Sequence, residues 1–314
     1  MIKLIVYGLL VVGLLIAVHA SIRALRRLPP YVGPLGKTWF VTFRVLCGAI
    51  LLFLITPILV IIPLSFNAEP YFTYPMPGFS LRWYQDFFVG EKSDVWHLAV
   101  KNSIIVAIFA TIFATILGTV AAVGLSNSKL PGKSFLMGLL ISPMIVPLVI
   151  TAVGMYFFYS LIGMTPRQLG QFWEGLHLLP LIVAHTALGT PFVVITVTAT
   201  LVGFDHSLTR AAKSLGADGL RTFLKVTVPL VLPGMISGAL FAFITSFDEV
   251  VVVLFLAGAE EYTIPRQMFS GIREQISPTI LAVASLLVLI SILLLTALEL
   301  LRRRNERMRG ITPA

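Results

Sequence analysis

The chain has 314 residues, of which 57% are hydrophobic and 12% charged, and its mean hydropathy is +0.95. This apolar composition excludes a soluble globular domain and indicates an integral membrane protein. The formal net charge of +9 does not indicate nucleic-acid binding, because the basic residues are dispersed between apolar segments. The single cysteine, Cys47, lies in an apolar run and cannot form an intrachain disulfide.

Seven apolar segments are candidates for membrane-spanning helices. A helix needs about 20 apolar residues to cross roughly 30 Å of hydrocarbon, and an open chain can cross it only as helices. A shorter candidate runs from Leu4 to Ala20. Six long segments meet the requirement: 45–64, 102–126, 135–160, 179–202, 228–257 and 276–298. The sequence therefore predicts an all-α integral membrane protein with six long spans and an additional N-terminal helix.

The distribution of lysine and arginine predicts which ends of the spans are cytoplasmic. If residues 21–44 lie in the cytoplasm, alternation of the spans places three further regions there: 127–134, 203–227 and the C-terminal tail. These four regions hold sixteen of the twenty-three Lys and Arg residues, as the positive-inside bias requires. No cytoplasmic connection exceeds about 25 residues, so any soluble machinery must belong to other chains.

The N-terminal segment allows two interpretations. Lys3, the apolar run after it and the small residues that end at Ala20 also resemble a secretory signal peptide. Cleavage, however, would leave Arg23 and the two arginines that follow it outside the membrane, against the charge bias. We therefore favour an uncleaved helix with its N-terminus outside, followed by a basic cytoplasmic linker.

The outer connection between residues 65 and 100 is longer than the others and is rich in proline and aromatic residues. Its aromatic side chains fit either a belt at the membrane interface or a docking surface for an outside partner, and the sequence leaves both interpretations open. These residues are Tyr71, Tyr74, Trp83, Tyr84 and Trp96.

Apparent motifs for chemistry do not hold up in this sequence. The fragments GKT at 36–38 and GKS at 132–134 end as a phosphate-binding loop does, but Tyr31 and Asn127 stand where that loop needs glycine. His185 lies inside the fourth span without a carboxylate or a second histidine one turn away, which favours a hydrogen-bonded packing role. We expect no catalytic residue, metal site, cofactor or nucleic-acid partner.

The cytoplasmic region 203–227 contains a short helical bend. Apolar residues recur at three- and four-residue spacing from Leu208 to Leu215, which predicts one short amphipathic helix. Gly216 follows it and suits the positive φ that commonly ends a helix. A second amphipathic turn then leads into an apolar run marked by two prolines. Such a bend is a rigid knob that can enter a groove on a partner.

This bend resembles the cytoplasmic signature of the inner-membrane permease subunits of binding-protein-dependent ABC importers. That signature reads Glu-Ala-Ala, three residues, Gly, and then an apolar helix with prolines. Here Arg210 replaces the glutamate, a departure that concerns one polar contact and leaves the steric core of the motif intact. The resemblance extends over residues 45–300. The matching residues are Ala211, Ala212, Leu215, Gly216, Ala217, Phe223, Pro229 and Pro233.

The resemblance implies a six-helix type I ABC importer permease core with an additional N-terminal transmembrane helix, as a multi-pass protein of the bacterial inner membrane. It divides the chain into an N-terminal helix and basic linker (1–44), a permease domain (45–301) and a basic cytoplasmic tail (302–314). Residues 203–227 would be the coupling loop to a cytoplasmic ATP-binding subunit dimer, which carries the ATP hydrolysis. Further implied partners are a different second permease, an extracytoplasmic solute-binding protein and the lipid bilayer.

A second match indicates the subfamily. The runs SFDEVVVVLFLAG at 246–258 and YTIPRQMFSGIREQISP at 262–278 resemble the polyamine-type permeases of spermidine and putrescine importers. Related permeases carry other solutes, so an amino-acid-like compound, a phosphonate or iron is the alternative cargo. A secondary transporter and a membrane-embedded enzyme are disfavoured, because the sequence shows neither paired broken helices in two related halves nor a catalytic cluster.

Two adjacent carboxylates, Asp248 and Glu249, interrupt the fifth span. A central aspartate costs roughly 2.5–3.5 kcal/mol on insertion scales, so both must face protein or water. Consecutive helical residues point about 100° apart, so at most one faces a pore squarely unless the helix breaks there. We predict that both lie on the substrate path, with Asp248 as the first choice. The alternative is pairing with a partner's basic side chain or with backbone amides at a helix break.

Overall fold

The protein is described by a computed structural model that covers residues 2–25, 28–29, 31–71, 76–91, 93–127, 131–172, 174–205, 207–258, 260–274 and 277–308. The fold is all-α, as the sequence predicts. Within the residues described, β pairing is limited to one bridge between Asn67 and Phe79. In the described part of the chain, five helical segments are long and apolar enough to cross a membrane, and shorter apolar helices accompany them.

One compact unit comprises Met1–Ser93 and Gly271–Ala314. Within it α1 packs on α2, and α14 packs on α2 and α3. Its helices are α1 (Ile2–Leu25), α2 (Pro34–Leu64), α3 (Arg82–Phe88) and α14 (Pro278–Met308). The N-terminal segment is therefore a helix with a packing partner in this unit, and α2 begins eleven residues before the predicted span.

Small residues bring α1 and α2 together as an antiparallel hairpin. A Cβ placed on Gly13 would lie 2.5 Å from Cδ2 of Leu52, and one on Gly48 would lie 2.8 Å from Cβ of Ala17. Ser21 is buried on the same side of α1, and its hydroxyl donates to the carbonyl of Ala17 at 2.6 Å. Close approach through small residues is how helices associate in lipid, where no hydrophobic force drives them together.

The outer connection folds on itself instead of presenting all of its aromatic residues. The indole Nε1–H of Trp83 donates to the carbonyl of Asn67 at 2.6 Å, and the hydroxyls of Ser65 and Tyr84 lie 2.7 Å apart. Trp83 and Trp96 are buried, so neither contributes to an interfacial belt or an exposed docking surface. Tyr71 is exposed, whereas Tyr74 lies outside the described residues.

The second compact unit comprises Asp94–Ser270. Helix α13 carries residues of both units. The helices that begin between Ser93 and Ile264 are α4 (Ser93–Asn127), α5 (Lys133–Ile145), α6 (Leu148–Ile162), α7 (Pro166–Phe172), α8 (Leu179–Val202), α9 (Ser207–Ser214), α10 (Gly219–Thr222), α11 (Val228–Phe247), α12 (Val251–Leu256) and α13 (Ile264–Glu274). Short 3₁₀ and π-helical segments occupy Glu174–Leu176 and Phe223–Thr227.

Two predicted spans are each built from two helices. The third is divided into α5 and α6 at Val146 and Pro147, where the proline has no N–H to continue the helical ladder. The fifth is divided into α11 and α12 at residues 248–250. Helices α4 and α8 cross without such a break.

Glycine and alanine form the contact layer between α4, α8 and α11. A Cβ on Gly189 of α8 would lie 3.0 Å from Cβ of Ala242 and 3.3 Å from Cβ of Ala114. One turn further on, a Cβ on Gly238 would lie 2.7 Å from Cα of Val193. The backbones of α8 and α11 therefore approach closely at these positions, which leave no room for a larger side chain.

We predict that Gly238→Ala destabilises the chain by about 1–3 kcal/mol, because its methyl group collides with the backbone of α8. Thermal unfolding in detergent, followed by size exclusion, measures this effect. Gly154→Ala is the matched control, since nothing lies within 4 Å of its added methyl group. Equal stability of the two variants would contradict the proposed tight contact.

Candidate functional site

The bend that is predicted to be cytoplasmic begins with α9. This helix ends in a Schellman motif. Gly216 has a φ of +84°, as the sequence predicts. Its N–H donates to the carbonyl of Lys213 at 3.0 Å, and the N–H of Ala217 donates to the carbonyl of Ala212 at 3.1 Å. These two bonds satisfy carbonyls that a helix end otherwise leaves open. The spacing of Ala212, Gly216 and Ala217 therefore encodes a closed, sharp helix end.

A capped second turn follows the Schellman motif. The carboxylate of Asp218 accepts the backbone N–H of Arg221 at 2.7 Å and so caps α10, in the usual way of an N-terminal aspartate. The chain then passes through the π-helical segment directly into α11. Phe223 packs against the cluster that contains Val231 of α11. We did not predict the role of Asp218, although an aspartate before a short amphipathic turn is a recognised start signal.

The bend exposes apolar side chains to solvent. Leu215 is 89% exposed and Leu220 is 68% exposed, and Leu208 is exposed as well. Arg210 and Ala211 are also exposed, so the surface is apolar at its tip with a cation beside it. We name the surface formed by Leu208, Arg210, Ala211, Leu215 and Leu220 the coupling knob, after the role that the resemblance implies for this region. Exposed leucines on a hydrogen-bonded bend are typical of a surface that another protein covers.

The two adjacent carboxylates at the break in the fifth span have different surroundings. Helix α11 ends at Phe247, and Asp248 follows it with an exposed side chain. No hydrogen bond joins its carboxylate to another of the described residues. Glu249 is only 8% exposed, and its Oε1 accepts the backbone N–H of Val252 at 2.8 Å. Glu249 thus binds a free amide at the start of α12, which is the alternative that the sequence left open for one of the two acids.

His185 of α8 forms a hydrogen bond with α11 close to the break in the fifth span. It is 1% exposed on α8, and its Nδ1 lies 2.8 Å from the hydroxyl oxygen of Ser246 on α11. The predicted hydrogen-bonded packing role is confirmed. The partner was not predictable from the local sequence, because Ser246 is 61 residues away. This bond ties α8 to the last turn of α11, two residues before Asp248.

The connection after α12 is held against α4 by polar side chains. The amide of Asn102 donates to the carbonyls of Glu260 and Tyr262 at 2.8 and 3.1 Å. The hydroxyl of Ser103 accepts the backbone N–H of Ile264 at 2.8 Å. Both side chains are buried on α4, more than 150 residues earlier in the chain. Sequence reasoning missed these contacts because nothing local marks them.

Two side chains of the connection itself, those of Glu261 and Arg266, form hydrogen bonds with its backbone. The carboxylate of Glu261 accepts the N–H of Gly258 at 2.7 Å, and Nη1 of Arg266 donates to the carbonyls of Ala257 and Gly258 at 2.6 and 3.0 Å. The guanidinium of Arg266 also lies 4.0 Å from the ring centroid of Tyr262. In the described part of the segment that follows the broken span, these side chains therefore bond the backbone groups of Ala257, Gly258, Glu260, Tyr262 and Ile264.

A helical membrane fold with an exposed apolar knob and a broken, carboxylate-bearing span is the arrangement expected of a transport permease. A family model agrees: that of the binding-protein-dependent transport system inner membrane component matches residues 114–307. The chain belongs to this family, and it is a multi-pass protein of the inner membrane.

Relatives with assigned functions extend the match over most of the chain. The spermidine/putrescine transport system permease protein PotC of Haemophilus influenzae is 32% identical over 254 residues, covering 81% of this chain and 93% of its own length. PotC of Escherichia coli (strain K12) is 32% identical over 259 residues, covering 82% and 93%. The putrescine transport system permease protein PotI of the same strain is 31% identical over 239 residues, covering 75% and 81%.

A solved structure shares the fold. The crystal structure of a bacterial ABC transporter involved in the import of the acidic polysaccharide alginate contains a chain that matches with a TM-score of 0.63 and 17% identity. The match covers 86% of this chain and 99% of that chain. This likeness confirms the type I ABC permease architecture that the coupling motif implied.

We predict that Glu249→Gln folds as stably as the natural chain, because the amide oxygen can still accept the N–H of Val252. Glu249→Ala leaves that buried N–H without a partner, which costs about 1–3 kcal/mol. Thermal unfolding of both variants in detergent tests this difference. If the glutamine variant is destabilised as much as the alanine variant, the charge and not the acceptor stabilises the break.

Proposed function

We propose that this chain is one permease subunit of an ATP-driven importer, that it lines half of the translocation path, and that its cargo is a polyamine such as putrescine or spermidine. The coupling knob is the observation that carries the proposal. A hydrogen-bonded bend with exposed leucines is suited to fill a groove on a cytoplasmic ATPase, and it continues into α11 without an intervening loop. Movement of the knob would therefore move α11.

ATP binding and hydrolysis would reside in a dimer of separate ATP-binding subunits. The largest cytoplasmic connection is too short to hold a nucleotide-binding domain, and both GK fragments lack the glycine of a phosphate-binding loop. In this proposal the coupling residues are those of the motif, from Arg210 to Ala217, with Phe223 anchoring the bend to the permease domain 45–301. The sequences 1–44 and 302–314 flank that domain.

A second permease and an extracytoplasmic binding protein complete the proposed assembly. A single chain of this fold supplies only part of a pore, and the exposed face of α11 that ends at Asp248 is suited to the shared path. This face also carries Ile244, one turn before the carboxylate, and Phe241, two turns before it. A charged group among apolar side chains must face water or protein in a membrane.

The polyamine assignment is supported by the relatives and by the charge at the break. PotC is named as a spermidine/putrescine transport permease, and PotI is named as a putrescine transport permease. An exposed carboxylate within a confined, apolar path attracts an organic polycation, because field lines concentrate where the walls have a low dielectric constant. Asp248 is available for this contact, whereas Glu249 is occupied by the backbone of α12.

We predict that Gly216→Val abolishes or strongly lowers uptake, because a side chain at a φ of +84° strains the Schellman motif by roughly 1–2 kcal/mol. Transport and ATP hydrolysis of the reconstituted complex measure the coupling. Gly219→Val is the control, since this glycine does not have a positive φ and has open space around it. Normal uptake in the Gly216 variant, with the ATPase still bound, would exclude the knob from coupling.

We predict that Asp248→Asn raises the KM for cationic solute on the order of tenfold, the equivalent of one lost charge contact of about 1.4 kcal/mol. Glu249→Gln removes the same charge from the neighbouring residue and should leave KM unchanged, because its carboxylate serves α12. Uptake of labelled putrescine by proteoliposomes tests both. If the two variants have the same KM for cationic solute as the natural chain, in intact complexes, Asp248 does not lie on the path.

A competition assay tests the identity of the cargo separately from the ATP-driven mechanism of import. If the complex couples ATP hydrolysis to import but neither putrescine nor spermidine competes for uptake, the cargo is a different solute and the permease assignment still holds. If the chain imports solute without an ATPase, the importer assignment itself is wrong.

A further inference from the structure

The cytoplasmic end of the α1–α2 hairpin has a one-sided charge. No aspartate or glutamate occurs before Glu69, whereas this stretch contains six basic residues. Arg23 at the end of α1 and Lys37 and Arg44 near the start of α2 are all exposed. Arg26 and Arg27, which lie outside the described residues, add to the same charge in the sequence. An anionic partner is therefore expected at this end of the hairpin.

The length of α2 places these cations at the edge of the membrane. Its 31 residues extend over roughly 46 Å at about 1.5 Å per residue, whereas the hydrocarbon is only about 30 Å thick. The uncharged run 45–64 accounts for the hydrocarbon. The remaining part, 34–44, extends about 16 Å into the headgroup region and carries both Lys37 and Arg44.

Aromatic side chains on this part of α2 are suited to the same depth. Trp39 is 69% exposed and stacks on Phe43 with 6.2 Å between ring centroids. The guanidinium of Arg44 lies 5.4 Å from the centroid of Phe40. Tryptophan beside basic residues is the usual composition of a helix at a membrane interface.

A groove beside these side chains distinguishes a lipid from a free anion. It is a shallow, open depression on one face of α2, and its lining is mostly apolar. The lining residues are Leu35, Gly36, Thr38, Trp39 and Thr42. A free phosphate would gain nothing from an apolar groove, whereas a phospholipid can place its glycerol ester region there, its phosphate near Lys37 or Arg44 and its acyl chains along the apolar run 45–64.

We propose that Arg23, Lys37, Arg44 and the groove at Trp39 form a binding site for anionic phospholipids of the cytoplasmic leaflet. Phosphatidylglycerol and cardiolipin have the net negative charge that the site would recognise, whereas zwitterionic phosphatidylcholine does not. The site would hold the end of α2 at the headgroup level. It depends on the predicted cytoplasmic location of residues 21–44 and not on the transported solute.

The test is lipid retention by the full chain in detergent, measured by native mass spectrometry during titration with phosphatidylglycerol or phosphatidylcholine. We expect the natural chain to retain phosphatidylglycerol selectively and to lose it as salt increases. The triple variant Arg23→Gln/Lys37→Gln/Arg44→Gln should bind phosphatidylglycerol about a hundredfold more weakly, at roughly fivefold for each cation near the surface. Lys37→Gln alone should weaken it about fivefold, which keeps the test available if the triple variant does not fold.

The matched control removes three exposed cations from the outer side of the predicted topology: Arg82→Gln/Arg167→Gln/Arg273→Gln. It should retain phosphatidylglycerol as the natural chain does. Equal binding of phosphatidylcholine, equal loss in the control variant, or full displacement by millimolar inorganic phosphate would overturn the proposal. It would also be overturned if the triple variant kept its lipid but lost its ATPase, since the cations would then serve a protein partner.

Discussion

A backbone N–H or C=O that leaves a helix inside hydrocarbon has no water to bond, and each unsatisfied group costs several kcal/mol. The structure on both sides of α12 follows from that constraint. At the break in the fifth span, a buried carboxylate, Glu249, accepts the free amide of Val252. After α12, buried polar side chains of α4 and Arg266 bond the connecting backbone. In the described residues around α12, the protein therefore supplies partners for backbone groups that have left a helix.

The same constraint gives the two adjacent acids different roles. Because Glu249 is used by the backbone, Asp248 is left exposed at the end of α11, on a helix that the His185–Ser246 bond and the glycine contacts hold against α8. The coupling knob lies at the other end of α11, beyond a short π-helical segment. Helix α11 packs tightly on α8 and joins the knob to the break, and in the proposed mechanism this packed pair would transmit movement of the knob.

The sequence was sufficient for features that depend on local pattern. Apolar runs predicted the spanning helices, and a glycine directly after a short amphipathic helix predicted the positive φ at Gly216. Helix ends were less predictable: α2 and α4 begin about ten residues before their apolar runs, because a helix continues into the headgroup region without needing apolar residues. Contacts between residues far apart in the sequence could not be predicted. Ser246 beside His185 and Asn102 beside Glu260 depend on helix packing, which spacing along one segment does not reveal.

The central claim is that the coupling knob contacts an ATPase subunit, and site-directed cross-linking measures this contact most directly. Because Cys47 is the single cysteine, a Cys47→Ser background allows Leu215→Cys to be the only reactive position. We predict that a short photoreactive probe on this cysteine cross-links to the ATPase in the purified complex, whereas a probe on Leu161→Cys, equally exposed at the end of α6, does not. Absence of the Leu215 cross-link in a complex that still hydrolyses ATP and imports solute would contradict the account.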